Sequence, residues 1–97
     1  MNDILIEKIE NADLEYLQSL SKILSNNDRV VILFGIREKT YVLASSGSNT
    51  KVNAGEIVKN ICSQLSGRGG GGKNLGQGVC TNIDVDEIIK NLRKELA

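Results

Sequence analysis

Apolar residues recur along the chain with two different spacings, which predict strands in some segments and helices in others. The segment from Ile4 to Ile9 is short and rich in β-branched residues, as is typical of a strand. Arg29–Ile36 is almost continuously apolar, which indicates a strand covered on both faces. A polar turn joins it to Tyr41–Ser46, so the two segments are expected to form a hairpin. Gly76–Ile83 has room for one further short strand.

Three other segments carry apolar residues three and four positions apart, which is the spacing of one helix face. Each is preceded by polar residues that can cap a helix N-terminus, and Gly67 is expected to end the second helix. The predicted caps are Asn11 or Asp13, Asn53 with Glu56, and Asp84 with Glu87. The residues predicted to face the core are Leu14, Leu17, Leu20, Ile23 and Leu24, then Ile57, Val58, Ile61, Cys62 and Leu65, and finally Val85, Ile88, Ile89, Leu92 and Leu96.

The elements follow one another as strand, helix, hairpin, helix, glycine-rich loop, strand and helix. This order predicts an α+β fold in which helices pack on a mixed or antiparallel sheet, with the glycine-rich loop after the central helix. The chain has 97 residues, no internal repeat and no linker-like stretch. Residues 1–97 are therefore expected to form one domain.

The composition excludes several classes of function. The chain has no histidine, which excludes His-based acid–base catalysis, His-containing triads and His-ligated metals. Twelve basic residues balance twelve acidic ones, which excludes a strongly basic nucleic-acid binder. Cys62 and Cys80 form no CxxC pair and are expected to be buried free thiols. No apolar run approaches the roughly 18 residues of a membrane span and no signal peptide is apparent, so the expected location is the cytoplasm.

The balanced net charge conceals an uneven distribution along the chain. Residues 1–28 carry two basic and six acidic residues, whereas residues 29–82 carry seven basic and two acidic ones. Residues 83–97 carry three basic and four acidic residues. A basic middle between acidic ends could give a neutral protein one positive face, and the alternative is charge scattered over several solvated faces.

Seven of the ten glycines lie in the stretch Gly67–Gly78. Ordering so many glycines costs conformational entropy, so a backbone without Cβ atoms is expected to serve a purpose here. The stretch fits GxxxxGK, but Asn74 follows where a phosphate-binding loop needs Ser or Thr, and a helix rather than a strand precedes it. A dinucleotide fingerprint fails on the same missing strand. A third hypothesis is that the loop amides, with Arg68 and Lys73, contact an RNA backbone or another polar surface. The alternative is a mobile loop, or one whose glycines only permit close packing.

The start of the second helix and the glycine-rich stretch form a composite pattern. Lys51–Val58 contains Ala-Gly-Glu, and Leu65–Gly78 contains the glycine box. Together they resemble the C-terminal domain of alanyl-tRNA synthetase, usually called the DHHA1 domain, and the resemblance extends over nearly the whole chain. Gly72 and Lys73 stand where the family often has a basic residue and a proline, and Val79-Cys80 replaces a closing Gly-Gly. DHH phosphoesterases share the domain superfamily but place a His after the glycine box, and this chain has none.

The resemblance implies a non-catalytic module of a larger synthetase whose aminoacylation and editing reside in other domains. In the family this domain is implicated in contacting the outer corner of the tRNA. The expected partners are therefore a tRNA, with tRNA-Ala as the leading candidate, and the other domains of the synthetase. ATP, magnesium and zinc would serve only those other domains. No cofactor, small-molecule substrate or membrane is expected here. The residues expected to bind RNA are Lys51, Lys59, Arg68, Gly69, Gly70, Gly71, Gly72 and Lys73.

The alternative function is oligomerisation or interdomain assembly without an RNA-binding role. The zero net charge and the acidic first helix favour it, as do apolar stripes that could exceed the needs of one small core. In some members of the resembled family the C-terminal region dimerises, so a homodimer is a further expectation. The chain itself is expected to be the C-terminal fragment of a larger synthetase.

Overall fold

The structure, a computed structural model, describes residues 3–96. Within that range the predicted elements occur in the predicted order, and one strand is present that the sequence did not predict. The elements are β1 (Asp3–Glu10), α1 (Leu14–Leu24), β2 (Arg29–Ile36), β3 (Thr40–Ser46), α2 (Ala54–Gln64), β4 (Gly67–Gly71), β5 (Leu75–Cys80) and α3 (Asp86–Leu96). The predicted α+β class is confirmed.

The strands form one mixed sheet in the order β1-β2-β3-β5-β4. β1 and β2 are parallel, and α1 makes the crossover between them. The other neighbours are antiparallel, including the predicted β2–β3 hairpin, in which Ile36 lies opposite Thr40. The helix α2 leads from β3 to β4, and β5 then inserts between these two strands. This path places β4 at the edge of the described sheet.

Apolar side chains form a separate core on each face of the sheet, because successive side chains of a strand point to opposite faces. One face, which includes Ile32 and Phe34, packs against α2 and α3. The other face, which includes Leu33 and Leu43, packs against α1. All seven residues of β2 after Arg29 are buried, which confirms the predicted strand covered on both faces.

The predicted helix stripes are confirmed with one exception. Asp13 rather than Asn11 caps α1, because its carboxylate accepts a hydrogen bond from the Tyr16 amide at 3.0 Å. Ile23 is 79% exposed, so its prediction as a core residue is wrong. It follows the fully buried Leu17 by six positions, which places it about 120° around the helix from the face that contacts the sheet.

The glycine-rich segment differs most from its prediction. It was expected to be a loop, but Gly67–Gly71 is the strand β4 and pairs with β5 in a hairpin. The physical reason is that β5 and the overlying α2 position this backbone, whereas the glycines themselves have low strand propensity. Gly67 does not end α2 either, because Ser66 adopts the left-handed backbone with φ of 58°.

The start of α3 also differs from its prediction. The helix begins at Asp86, two residues after Asp84, so Asp84 does not occupy the capping position. The Asp84 amide instead donates to the side chain of Asn82 at 2.9 Å, in a local turn that precedes the helix.

Candidate RNA-binding surface

The N-terminus of α2 contacts the turn between β4 and β5 through its backbone. The Ala54 amide donates to the Lys73 carbonyl at 2.7 Å, and the Gly55 amide donates to the Gly72 carbonyl at 2.9 Å. The next amide, of Glu56, donates to the Asn53 side chain at 3.0 Å, as the capping pattern predicts. The first amides of α2 are thereby bonded within the protein and are not free to bind an anion.

Glycine allows this close approach of helix and turn. A Cβ atom on Gly55 would lie 2.5 Å from the Gly71 carbonyl oxygen, and one on Gly76 would lie 2.9 Å from the Ala54 carbonyl oxygen. Real Cβ atoms essentially never come this close to backbone atoms, so neither position accommodates a side chain without a backbone shift. The Ala-Gly-Glu motif and the glycine box therefore face each other across one backbone contact.

The glycines of the box differ in how much space surrounds them. A Cβ atom on Gly69 would meet the side chain of Val58 at 2.6 Å, whereas one on Gly70 or Gly72 would meet nothing within 4 Å. Gly71 has φ of 147°, a conformation that L side chains rarely adopt. Packing and backbone conformation thus account for Gly69 and Gly71, and leave Gly70 and Gly72 open to solvent or to a partner.

The structure brings two of the four predicted basic residues to one end of the sheet. Lys51 precedes α2 by three positions and is exposed. The exposed Lys73 lies beside the same helix end, where its carbonyl also accepts a hydrogen bond from the Ser46 hydroxyl at 2.6 Å. Lys51 and Lys73 are therefore grouped around the N-terminus of α2.

The other two predicted basic residues lie elsewhere. Lys59 is exposed on α2, four positions after Gly55, on the side of the helix towards β4. Arg68 is exposed on β4. A Cβ atom on the next residue, Gly69, would point towards Val58 of α2. Since successive side chains of a strand point to opposite faces, the Arg68 side chain points to the sheet face opposite α2. The four basic residues do not form one continuous cluster.

Further polar residues, which sequence reasoning did not single out, surround Lys51 and Lys73. Two adjoining surface grooves lie where α1 ends, β3 ends and β5 begins, and Asn74 lines both of them. We call this end of the molecule the polar end. Besides Asn74 it comprises the groove residues Lys22, Ser25, Asn26, Asn27, Ser45, Ser46, Gly47 and Ser48, and the adjoining Asn49, Lys51 and Lys73. Leu43 and Leu75 also line the first groove.

Hydrogen bonds hold the loops of the polar end together. The Asn49 amide donates to the Asn27 carbonyl at 2.8 Å, and the Asn74 side chain donates to the Ser46 carbonyl at 2.9 Å. The carboxylate of Asp28 accepts from the Asn49 side chain at 2.8 Å. The sequence carried a signal for this surface in its Ser- and Asn-rich runs, but the runs are far apart in the chain and only the fold makes them adjacent.

The opposite end of the sheet carries charges of both signs. Glu10, Arg37 and Glu38 line one shallow groove there, and Asp86 forms an ion pair with Lys8 at 2.8 Å. The hydrogen bond from Lys8 to Asp86 raises the pKa of Lys8 above its ordinary value, and Glu10 and Asp84 add to the shift. Neither end of the sheet carries charge of one sign alone, because the carboxylate of Asp28 lies among the loops of the polar end.

The range of residues 3–96 contains no group of three or more His, Cys, Asp or Glu side chains placed to hold a metal ion. Its helices also include none with the length and hydropathy needed to cross a membrane.

Comparison with known proteins identifies the family. The sequence profile of the DHHA1 domain matches residues 2–97. The chain is 32% identical over 92 residues to the alanine–tRNA ligase of Methanoregula boonei and 34% identical over 92 residues to that of Methanocorpusculum labreanum. In both cases the match covers 95% of this chain but 10% of the relative, so the chain spans about a tenth of the length of these relatives.

Solved structures with the same fold agree with the sequence comparisons. The C-Ala domain of Aquifex aeolicus alanyl-tRNA synthetase matches with a TM-score of 0.83 and 26% identity, over 95% of this chain and 87% of that one. A pGpG-specific phosphodiesterase of Vibrio matches with a TM-score of 0.51 at 13% identity, which shows a shared fold alone. With its whole described length accounted for in this way, the chain belongs to the DHHA1 domain family and has the fold of a C-Ala domain.

Proposed function

We propose that this chain is the tRNA-binding C-terminal module of an alanyl-tRNA synthetase, and that it binds tRNA-Ala at its outer corner in support of aminoacylation and editing. The module itself carries out no catalysis and needs no cofactor, and it acts in the cytoplasm with the other domains of the synthetase. The family membership and the alanine–tRNA ligase relatives support the proposal that the chain is part of such a synthetase. The observation that carries the RNA-binding proposal is the placement of the exposed Lys51 and Lys73 beside the N-terminus of α2, where Lys73 adjoins the Ser46 hydroxyl.

This chemistry suits a structured RNA. Lysine ammonium groups bind phosphates, and neutral donors such as Ser48 and Asn74 can bind phosphate oxygens and 2′-hydroxyl groups. The polar end offers no exposed aromatic side chain on which a single-stranded base could stack, within the described residues. Recognition through shape and backbone is therefore the mode that this surface favours.

The test is a fluorescence-anisotropy titration of the chain against transcribed tRNA-Ala at several salt concentrations. We expect binding that weakens as salt rises and that prefers the full tRNA over a hairpin without the L-shaped corner. In the double variant Lys51→Gln with Lys73→Gln, the slope of log K against log salt should decrease by about two units, because each lost phosphate contact removes about one.

Matched controls separate a local contact from general charge. The double variant Lys39→Gln with Lys90→Gln removes the same charge from exposed positions outside the polar end and should leave the slope nearly unchanged. A third variant, Lys59→Gln with Arg68→Gln, tests the two predicted residues that lie elsewhere. Equal losses in all three variants would mean non-specific electrostatics, and an unchanged slope in the first would remove the polar end from the proposal.

One observation favours the alternative of an assembly role. Tyr16 is 53% and Ile23 79% exposed, and their spacing of seven residues places both on the outer face of α1. The leucines of α1, by contrast, pack against the core beneath the helix. The outer face of α1 is thus the surface through which self-association would proceed.

A further inference from the structure

The two cysteines lie directly against each other although they are 18 positions apart in the chain. Cys62 is on α2 and Cys80 ends β5, and the Cys80 thiol donates to the Cys62 sulfur at 3.0 Å. Each residue is only 1% exposed. A disulfide has a sulfur–sulfur bond of about 2.05 Å, so the two sulfurs are about 1 Å from bonding distance.

On the side towards the β4–β5 hairpin, glycine backbone rather than a side chain faces the Cys62 sulfur. A Cβ atom on Gly78 would lie 2.6 Å from the Cys62 sulfur, and one on Gly69 would lie 3.0 Å from it. Both glycines belong to the β4–β5 hairpin, and Gly69 lies in the edge strand and is only partly buried. The thiol pair is thus separated from the sheet edge by glycine backbone rather than by bulky side chains.

We propose that Cys62 and Cys80 are a redox-modification site that forms an intramolecular disulfide on reaction with a peroxide. The Cys62 thiol releases its proton and the thiolate attacks one peroxide oxygen. The O–O bond breaks, a sulfenic acid forms, and the other oxygen leaves as hydroxide, which takes up the released proton to give water. The Cys80 sulfur then attacks the Cys62 sulfur, the S–S bond forms, and the sulfenic oxygen leaves as a second water. In sum, two thiols and one hydrogen peroxide give one disulfide and two waters.

The electrostatics of the pair fit this order of events. The hydrogen bond from Cys80 lowers the pKa of Cys62, although burial acts in the opposite direction. The same hydrogen bond, together with burial, raises the pKa of Cys80. These directions agree with Cys62 as the first nucleophile and Cys80 as the resolving thiol.

The disulfide would clamp the β4–β5 hairpin onto α2. The closed loop from Cys62 to Cys80 contains β4, the turn with Lys73 and β5, so the bond restricts the part of the polar end that this turn supplies. Closing a loop of this length removes chain entropy from the unfolded state, which is expected to raise Tm by about 10 °C. The inference does not depend on RNA binding.

The test treats the reduced chain with hydrogen peroxide and measures intact mass, free thiols under denaturing conditions, and Tm. We expect a mass loss of two hydrogens, the disappearance of both thiols, a non-reduced peptide that joins Cys62 to Cys80, and a higher Tm that dithiothreitol reverses. The single variants Cys62→Ser and Cys80→Ser should show no peroxide-dependent rise in Tm. They should retain an unpaired thiol or oxidise it to an oxygen acid.

Three outcomes would overturn the proposal. They are oxygen addition at the individual cysteines of the wild-type chain, disulfides only between chains, and thiols that stay reduced under peroxide that oxidises the denatured chain. The wild-type peptide map decides the question by itself if a serine variant fails to fold.

Discussion

At the residue scale, two glycines of this chain permit a close backbone contact that no other residue would allow without a shift. Gly55 and Gly76 bring α2 to within backbone contact of the β4–β5 hairpin, where a Cβ atom would meet carbonyl oxygens. Gly55 is costly for a helix by itself, by about 0.8–1 kcal/mol relative to alanine. The tertiary contact therefore outweighs local helix propensity at this position.

This balance gives a prediction for Gly55→Ala. A new Cβ atom 2.5 Å from the Gly71 oxygen forces a backbone shift, so we expect a net loss of about 1–3 kcal/mol in the free energy of unfolding despite the gain in helix propensity. Urea denaturation of the two chains measures the difference. Gly70→Ala is the control, because its Cβ atom meets nothing within 4 Å, and it should be neutral or stabilising by up to about 1 kcal/mol. Stabilisation by Gly55→Ala would contradict the close contact.

At the element scale, β4 is a strand that its own sequence disfavours. Five residues, four of them glycine, form a ladder with β5 because the turn and the overlying α2 leave the backbone no other position. The Gly72 amide donates to the Leu75 carbonyl, and the Thr81 amide donates to the Ser66 carbonyl. Both pairs continue the register in which β4 pairs with β5. Since bonded and non-bonded pairs alternate in an antiparallel ladder, the amides of Arg68 and Gly70 face β5, and those of Gly69 and Gly71 face the open edge.

Amide hydrogen exchange can test this alternation. We expect the Gly70 amide to exchange at least about tenfold more slowly than the amides of Gly69 and Gly71, because its hydrogen bond to β5 must open first. Two-dimensional NMR spectra recorded after transfer to deuterated water give the rates, with the amides of the interior strand β2 as the protected reference. Equally fast exchange of all these glycines would instead support the loop that the sequence predicts.

At the scale of the whole molecule, the two candidate surfaces lie on different parts of the fold. Lys51 and Lys73 lie at the polar end, whereas Glu10 and Asp86 lie at the other end together with Lys8 and Arg37. The exposed Tyr16 and Ile23 lie on the outer face of α1, away from the core that the same helix covers. RNA binding and assembly would thus use different surfaces, so one does not exclude the other.

Sedimentation velocity tests the assembly surface. If the outer face of α1 joins two copies of the chain, the sedimentation coefficient should rise with concentration, and Tyr16→Ser with Ile23→Ser should abolish the rise because it removes the exposed apolar surface. Ile83→Ser is the control, since Ile83 is 52% exposed outside α1. A monomer at every concentration would contradict self-association through this face.

The residues of the candidate site could be predicted from the sequence only in part, and their grouping could not. The sequence predicted Lys51 and Lys73 together with Lys59 and Arg68, but linear spacing could not say which of them share a surface. That depends on the path of β4 beside β5 and α2, which no local pattern encodes. Lys22 and Asn74 were missed for the same reason, because only the fold places these single polar residues in one groove.

The sequence by itself determined the α+β class, the order of the elements, the fully buried strand β2 and the Asn53 cap, because these depend on hydrophobic period and on contacts within a few residues. It also carried the composite motif of the family. Only the tertiary structure decided that Gly67–Gly71 is a strand, that Ile23 is exposed, and that Cys62 meets Cys80. Each of these depends on which segments distant in the chain come to lie side by side. A strand in which four of five residues are glycine has no hydrophobic pattern that identifies its partners.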